Sequence, residues 1–158
     1  MTLRLNYAKL SPDLFKALSD LSTSAKKALD PTLVSLVEIR ASQLNGCAFC
    51  VDMHVKQAKI HGERELRLHH VAVWRESPLF SPRERAALAW TEALTQLPPH
   101  GVPDDLYGMA RDQFTEKELA DLTFVVMTIN AWNRASVAFR AEPGAADKIF
   151  GLDRAGLS

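Results

Sequence analysis

Two thiols and an imidazole stand close together in the chain, at Cys47, Cys50 and His54. On a helix, residues three or four apart share a face, so Cys50 would lie one turn after Cys47 and one turn before His54. The first turn of a helix stabilises a thiolate through its unpaired N–H groups and dipole, and a nearby imidazole can take the thiol proton. The spacing therefore predicts a reactive thiol on a helical stripe.

The second thiol allows a redox cycle. A thiolate that attacks an oxidant becomes a sulfenic acid, and a thiol within one turn can condense with it to a disulfide before it over-oxidises. An external thiol donor can then reopen the disulfide. A disulfide between Cys47 and Cys50 would close a very short loop, so this pair suits redox or metal chemistry better than structural cross-linking.

Glu38 is the candidate for positioning the imidazole. It interrupts an otherwise apolar stretch of helical periodicity upstream of the cysteines. If the helix that carries Glu38 and the helix that carries His54 form a hairpin around Asn45-Gly46, the carboxylate can approach the ring. A carboxylate in that place would orient and charge the imidazole, or pass protons through a water molecule.

The elements that must position these residues are helices, and no run alternates as a strand would. A capping residue followed by proline marks three helix starts, at Ser11-Pro12, Asp30-Pro31 and Ser81-Pro82. The predicted helices cover residues 12–28, 31–44, 47–61, 64–74, 82–96, 103–113 and 116–140. The first presents Leu14, Leu18 and Leu21 on one face, and the last is so apolar that it should be central or at an oligomer interface.

Composition bounds the class of protein. The chain has 158 residues and 17.5 kDa, of which 47% are hydrophobic and 24% charged, as expected for one globular domain covering residues 1–158. Lysine plus arginine number 19 and aspartate plus glutamate also number 19, which gives no basic field for nucleic acid. No stretch resembles a signal peptide or is long enough to span a membrane, so we expect a cytoplasmic protein.

The residues around the thiols match a known pattern. Leu36-Val37-Glu38, together with the Asn-Gly-Cys-x-x-Cys-x-x-x-His string that ends at His54, resembles the core motif of the alkylhydroperoxidase D (AhpD)-like branch of the carboxymuconolactone decarboxylase family. The segment over residues 128–134 is also similar to that branch. The resemblance covers most of the chain, from about residue 14 to residue 140.

This resemblance implies an all-α fold of about six to seven helices, assembled as a homotrimer or homohexamer. It also implies a thiol-dependent peroxidase that acts on hydroperoxides without haem, flavin or metal. Cys50 would then attack the peroxide, Cys47 would resolve the product, and His54 and Glu38 would relay protons. Electrons would come from a lipoylated protein or another external dithiol, and neither nucleic acid nor a membrane would be a partner.

The chain departs from the best-known members of that branch at two positions. Their relay glutamate falls one helical turn earlier than Glu38, where this chain has Ser35, and they carry a histidine between the cysteines where this chain has Phe49. The relay would therefore be carried by a shifted carboxylate. Decarboxylase members of the family generally lack the cysteine pair, so its presence favours redox chemistry.

Other interpretations of the same residues stay open. The cysteines could be two buried apolar side chains, or zinc ligands completed by His61 or a partner chain. A redox sensor could use the same disulfide without turnover, and a lactone decarboxylase would not need the cysteines.

Three further side chains, Trp132, Asn130 and Phe49, are predicted to line the pocket around the thiols. Trp132 would shield the thiols from water. The pair Lys26-Lys27 is expected to lie on a solvated face.

Overall fold

The computed structural model describes residues 2–157, which form nine α-helices and two 3₁₀ helices, with no strand in that range. No helix among these residues is long and apolar enough to cross a membrane. The α-helices are α1 (Tyr7–Leu10), α2 (Pro12–Lys26), α3 (Pro31–Leu44), α4 (Ala48–Ile60), α5 (Glu65–His70), α6 (Pro82–Thr95), α7 (Asp104–Gln113), α8 (Glu116–Phe139) and α9 (Asp147–Phe150); the 3₁₀ helices are Val71–Val73 and Leu152–Ala155.

The all-α prediction is confirmed, and each of the seven predicted helices has a counterpart. The helix predicted over residues 64–74 ends earlier as an α-helix, and its second half is the 3₁₀ helix Val71–Val73. The four-residue helices α1 and α9 were not predicted, because an element of one turn is too short to show a periodic pattern.

Side-chain caps begin most of the long helices. The Asp30 carboxylate accepts a hydrogen bond from the Leu33 N–H at 3.0 Å, and capping boxes begin α6 and α8. The predicted cap at Ser11 is an exception, because its side chain makes no cap hydrogen bond. Its N–H instead donates to the Tyr7 carbonyl and closes α1, so the short helix determines the geometry at this junction.

Helix α3 is the centre of the fold. It packs against α4, α6 and α8, and several of its side chains are fully buried. Val37 belongs to a hydrophobic cluster shared with α8, while Leu36 and Ile39 belong to a second cluster shared with α6. A helix that is apolar nearly all round must be enclosed on all sides. Glu38, on this helix, is therefore carried into the interior.

A ladder of amides fixes the turn between α3 and α4. The Asn45 side-chain amide donates to the carbonyl oxygens of Asn130 and Asn133 on α8, at 3.0 and 2.9 Å. Asn133 in turn donates to the Ser42 hydroxyl at 3.0 Å. Gly46 follows with a φ of +63°, a conformation that glycine adopts without strain. The backbone that leads into Cys47 is thus tied to the longest helix.

The C-terminal segment packs against α4. The ammonium of the buried Lys56 lies 2.9 Å from Asp52 and 2.7 Å from Asp147, and the Gly144 N–H donates to Asp52 at 2.9 Å. These contacts hold the C-terminal segment against the helix that begins beside the cysteines. At the other end, the Arg4 N–H donates to the Phe139 carbonyl at 2.9 Å.

The leucine face predicted on α2 is only partly covered. Leu14 is 73% exposed and Leu21 is 42% exposed, whereas Ser22 and Ala25 on another face of the helix are buried. The interior contact of α2 is with α8. Because the inward face carries small and polar residues, hydrophobicity alone points to the wrong side of this helix.

Removing the amide ladder should destabilise the fold. In an Asn133→Ala variant, the Ser42 hydroxyl and the Asn45 amide each lose a partner within the core. We expect the free energy of unfolding to fall by about 1–3 kcal/mol, as for other buried polar groups left unsatisfied. Urea denaturation followed by circular dichroism measures this loss.

Lys117→Ala, at an exposed position of the same helix, is the matched control. Its ion pair with Asp121 is a surface pair, so its loss should change the free energy of unfolding by less than about 0.5 kcal/mol. Equal stability of the two variants would mean that the ladder contributes nothing measurable.

Candidate active site

The two cysteines form a disulfide at the start of α4. Cys47 is the N-cap residue and its sulfur accepts a hydrogen bond from the Cys50 N–H at 3.3 Å. The two Cα atoms are 5.3 Å apart, and each residue is only 2% exposed. The helix start that the spacing predicted therefore holds both sulfurs, and the pair is in its oxidised form.

A cavity of about 340 Å³ opens beside this disulfide. Cys50 is among its lining residues and Cys47 is not, so Cys50 is the residue of the pair that borders the cavity. The remaining lining residues are Tyr7, Phe15, Ser19, Ser22, Thr23, Lys26, Glu38, Phe49, Met53, His54, Gln57, Trp132, Ser136 and Phe150. Charged and hydroxyl groups thus share the cavity with five aromatic rings.

His54 is buried in this cavity and has two polar neighbours. Its Nδ1 atom lies 2.9 Å from Gln57 Oε1 and 3.4 Å from Glu38 Oε2. Burial lowers the pKa of His54 below the usual 6.5, and the nearby Lys26 ammonium lowers it further. The Glu38 carboxylate and the Gln57 amide oppose that change. At neutral pH the imidazole is therefore uncharged and able to accept a proton.

Glu38 is buried between two basic side chains. One carboxylate oxygen lies 2.5 Å from Lys26 Nζ and the other faces His54. Ser35, one turn earlier, donates its hydroxyl to the Pro31 carbonyl of its own helix and is not among the residues that line the cavity. The carboxylate that lines the cavity is thus that of Glu38, one helical turn after the position at which the best-known members of the branch carry their relay glutamate.

Lys26 is the residue that sequence reasoning missed. It was expected on a solvated face together with Lys27, but its side chain is only 33% exposed and contacts Glu38. A signal was present in the sequence, because Phe15, Ser19, Ser22 and Lys26 follow the three- and four-residue steps of one helical face. All four line the cavity. Because this face combines aromatic, hydroxyl and charged side chains, its sequence pattern does not indicate a buried face.

Aromatic side chains close the opposite side of the cavity. The rings of Phe15 and Trp132 meet edge to face with centroids 5.1 Å apart, and Tyr7 lies between Phe15 and Phe139 at 6.1 and 5.6 Å. Phe49 is also part of the lining. Contacts between aromatic rings at these distances favour defined ring positions.

Asn130, expected in the pocket lining, is placed elsewhere. Its amide donates to the Thr95 hydroxyl and to the Val126 carbonyl, and its oxygen accepts from Asn45 and Arg134. It does not appear among the residues that line the cavity. The bonds to Thr95 and Asn45 join α8 to α6 and to the end of α3, and the bonds to Val126 and Arg134 stay within α8.

No group of three or more histidine, cysteine or acidic side chains within residues 2–157 is arranged to hold a metal ion. The two thiols that the zinc interpretation requires are joined to each other. His61 lies at the far end of α4 as its C-cap residue, four turns from the pair of sulfurs at the start of the helix.

Comparisons with known proteins identify the family of the chain. The sequence profile of the carboxymuconolactone decarboxylase family matches residues 12–93. The uncharacterized protein YdfG of Bacillus subtilis (strain 168) is 39% identical over 139 residues, which cover 87% of this chain and 95% of YdfG.

Two solved structures resemble the fold closely. Protein ATU0492 of Agrobacterium tumefaciens, of unknown function and described as a candidate antioxidant defence protein AhpD, superposes with a TM-score of 0.87 at 41% identity, covering 91% of this chain and 99% of that one. A peroxidase-related protein of Ralstonia eutropha JMP134 with an alkylhydroperoxidase AhpD core gives 0.77 at 21% identity, covering 87% and 74%. The chain belongs to the carboxymuconolactone decarboxylase family, as an AhpD-like member.

Proposed function

We propose that this protein is a thiol-dependent peroxidase that reduces organic hydroperoxides by cycling between a dithiol and the Cys47–Cys50 disulfide. The observation that carries the proposal is that Cys50 reaches a cavity which also contains the buried His54 and Glu38 pair. A thiol, a neutral base and a carboxylate that orients the base are the groups that an activated nucleophile requires.

The first step oxidises Cys50. His54 takes the thiol proton, and the thiolate sulfur attacks the terminal oxygen of the hydroperoxide. An S–O bond forms as the O–O bond breaks, and the leaving alkoxide takes a proton and departs as an alcohol. Cys50 becomes a sulfenic acid, so the two electrons that reduce the peroxide come from its sulfur.

The second step closes the disulfide and the third reopens it. The Cys47 thiol displaces water from the Cys50 sulfenic acid, which produces the oxidised pair present in this structure. An external dithiol, such as a lipoylated protein, then exchanges with the disulfide, and the donor leaves oxidised. Sulfur supplies every electron in this cycle and the peroxide receives them, so the reaction as written requires no bound cofactor.

The relatives support this proposal at the level of the family. ATU0492 is described as a candidate antioxidant defence protein, and the Ralstonia protein as peroxidase-related. The cycle needs a compartment in which dithiol donors stay reduced, so we place it in the cytoplasm.

We also propose that the chain works as a homotrimer or homohexamer. Large apolar side chains remain exposed on α2 and α8, among them Leu14, Phe124 and Met127. Apolar surface that a single chain leaves uncovered is typical of contacts between copies.

Serine variants of the two cysteines separate their roles. Cys50→Ser should abolish peroxide consumption, because a hydroxyl cannot form the sulfenic acid. Without an external thiol, Cys47→Ser should consume one equivalent of peroxide per chain and keep a sulfenic acid on Cys50 that dimedone traps, whereas wild type forms the disulfide. Peroxide consumption with a supplied dithiol measures the first result, and intact-protein mass spectrometry after peroxide alone measures the second.

Three outcomes would contradict the proposal. Full turnover in Cys50→Ser would remove the assigned nucleophile. A wild-type protein that oxidises once and is not turned over by any supplied dithiol would be a redox sensor. Lactone decarboxylation that persists in both serine variants would indicate the chemistry after which the family is named.

The pH dependence tests the relay. Because burial lowers the pKa of His54, the acidic limb of kcat/KM should lie below pH 6.5. Glu38 raises that pKa, so Glu38→Gln should move the acidic limb to still lower pH. It should also reduce kcat/KM by roughly a hundredfold, since the imidazolium that forms in the reaction loses its counter-charge. Stopped-flow peroxide reduction across pH 4.5–8 measures both effects.

Ser35→Ala is the matched control for this experiment. Ser35 lies one turn from Glu38 on α3 and bonds only to its own helix, so its variant should keep the wild-type rate and profile. A Glu38→Gln enzyme that behaves like the control would exclude the carboxylate from the relay.

A further inference from the structure

The electrostatic balance of the cavity depends on Lys26. Its ammonium lies 2.5 Å from Glu38 Oε1, while the second carboxylate oxygen lies 3.4 Å from His54 Nδ1. One buried carboxylate therefore has two basic neighbours, from α2 and from α4. The other titratable groups that line the cavity are the Tyr7 phenol and, once reduced, the Cys50 thiol.

The Glu38 carboxylate balances one positive charge, so the cavity is neutral only if either Lys26 or His54 is charged, and not both. Lys26 and Glu38 together sum to zero, so a proton added to His54 would leave an uncompensated positive charge in a buried site, which is costly. If the ammonium were absent, the same proton would complete a neutral pair with Glu38. The charge on position 26 thus favours the neutral form of the imidazole before any substrate arrives.

The net charge of the cavity can be counted in the same way after the Cys50 thiol ionises. With Lys26 present, transfer of the Cys50 proton to His54 gives two positive and two negative groups, and the cavity stays neutral. Without Lys26, His54 already forms a neutral pair with Glu38, so the thiol has to release its proton to solvent and the cavity is left with one net negative charge. Buried sites disfavour that state, so the thiolate becomes less populated.

We infer that Lys26 is a positioning residue that neutralises Glu38 and thereby keeps His54 free to take the proton of Cys50. This role rests on the proposed peroxidase function, which it deepens by adding a third charged group to the relay. Lys26 touches the carboxylate rather than the substrate, so it acts through Glu38.

Neutralising position 26 tests the inference on the oxidised protein, without peroxide. In Lys26→Met the imidazole should titrate about one pH unit higher than in wild type, because the ammonium that opposes its protonation is gone. NMR titration of histidine-labelled protein measures this, with His54→Gln identifying the resonance. In the reduced protein, alkylation of Cys50 by iodoacetamide at pH 7 should be about tenfold slower, as for a thiol whose pKa rises by one unit.

Two variants control for the loss of the side chain. Lys26→Arg keeps the charge and should keep the titration of His54 and the alkylation rate close to wild type. Lys27→Met removes an adjacent exposed ammonium and should change neither. Circular dichroism and cooperative unfolding check that each variant is folded, and Lys26→Gln replaces Lys26→Met if the apolar side chain unfolds the protein.

The inference is overturned if His54 titrates in the neutral variants at position 26 as it does in Lys27→Met, because the ammonium of Lys26 would then not control His54. It is also overturned if Lys26→Arg shifts the titration of His54 as much as Lys26→Met does, because the shape of the side chain rather than its charge would then be responsible. Because the titration needs no turnover, it can succeed in a protein without peroxidase activity. Full peroxidase activity with an unshifted His54 would remove only the role of Lys26.

Discussion

The burial of one carboxylate is the constraint on which the site depends. Glu38 lies on the most enclosed helix of the fold, where an isolated charge would be strongly disfavoured. Its two oxygens face Lys26 from α2 and His54 from α4. The placement of these three helices therefore also assembles a charge network. A displacement of α2 would leave an uncompensated carboxylate in the core, and a displacement of α4 would remove its imidazole neighbour.

The placement of the sulfurs depends on contacts outside this charge network. The disulfide spans only the first turn of α4, and a loop so short restricts the unfolded chain little. The turn before it is held to α8 by the amide bonds of Asn45, which do not involve the sulfurs. In the proposed cycle, opening the disulfide breaks none of these bonds.

Local signals in the sequence were sufficient for the helices and for the thiol pair. Caps, prolines and apolar periodicity mark the long elements, and three- and four-residue steps bring Cys50 and His54 together. The contact of Lys26 with Glu38 joins two helices, and the mixed polarity of the face that carries Lys26 hides which lysine of the pair turns inward. Asn130 shows the same limit, because amides in the core and amides in a pocket look identical in a sequence. The single turns at Tyr7 and Phe150 carry no periodicity, although both residues line the cavity.

The cavity thus combines two kinds of support. Its reacting groups come from α2, α3 and α4, with Glu38 and His54 almost fully buried. Its aromatic rim includes Tyr7 and Phe150 from the ends of the chain, which are held by a few specific bonds such as the Lys56 ion pairs. Segments with few buried contacts have the lowest local stability and tolerate sequence change most readily. Changes in the two chain ends can therefore alter the shape of the cavity, while the side chains from the interior helices stay the same.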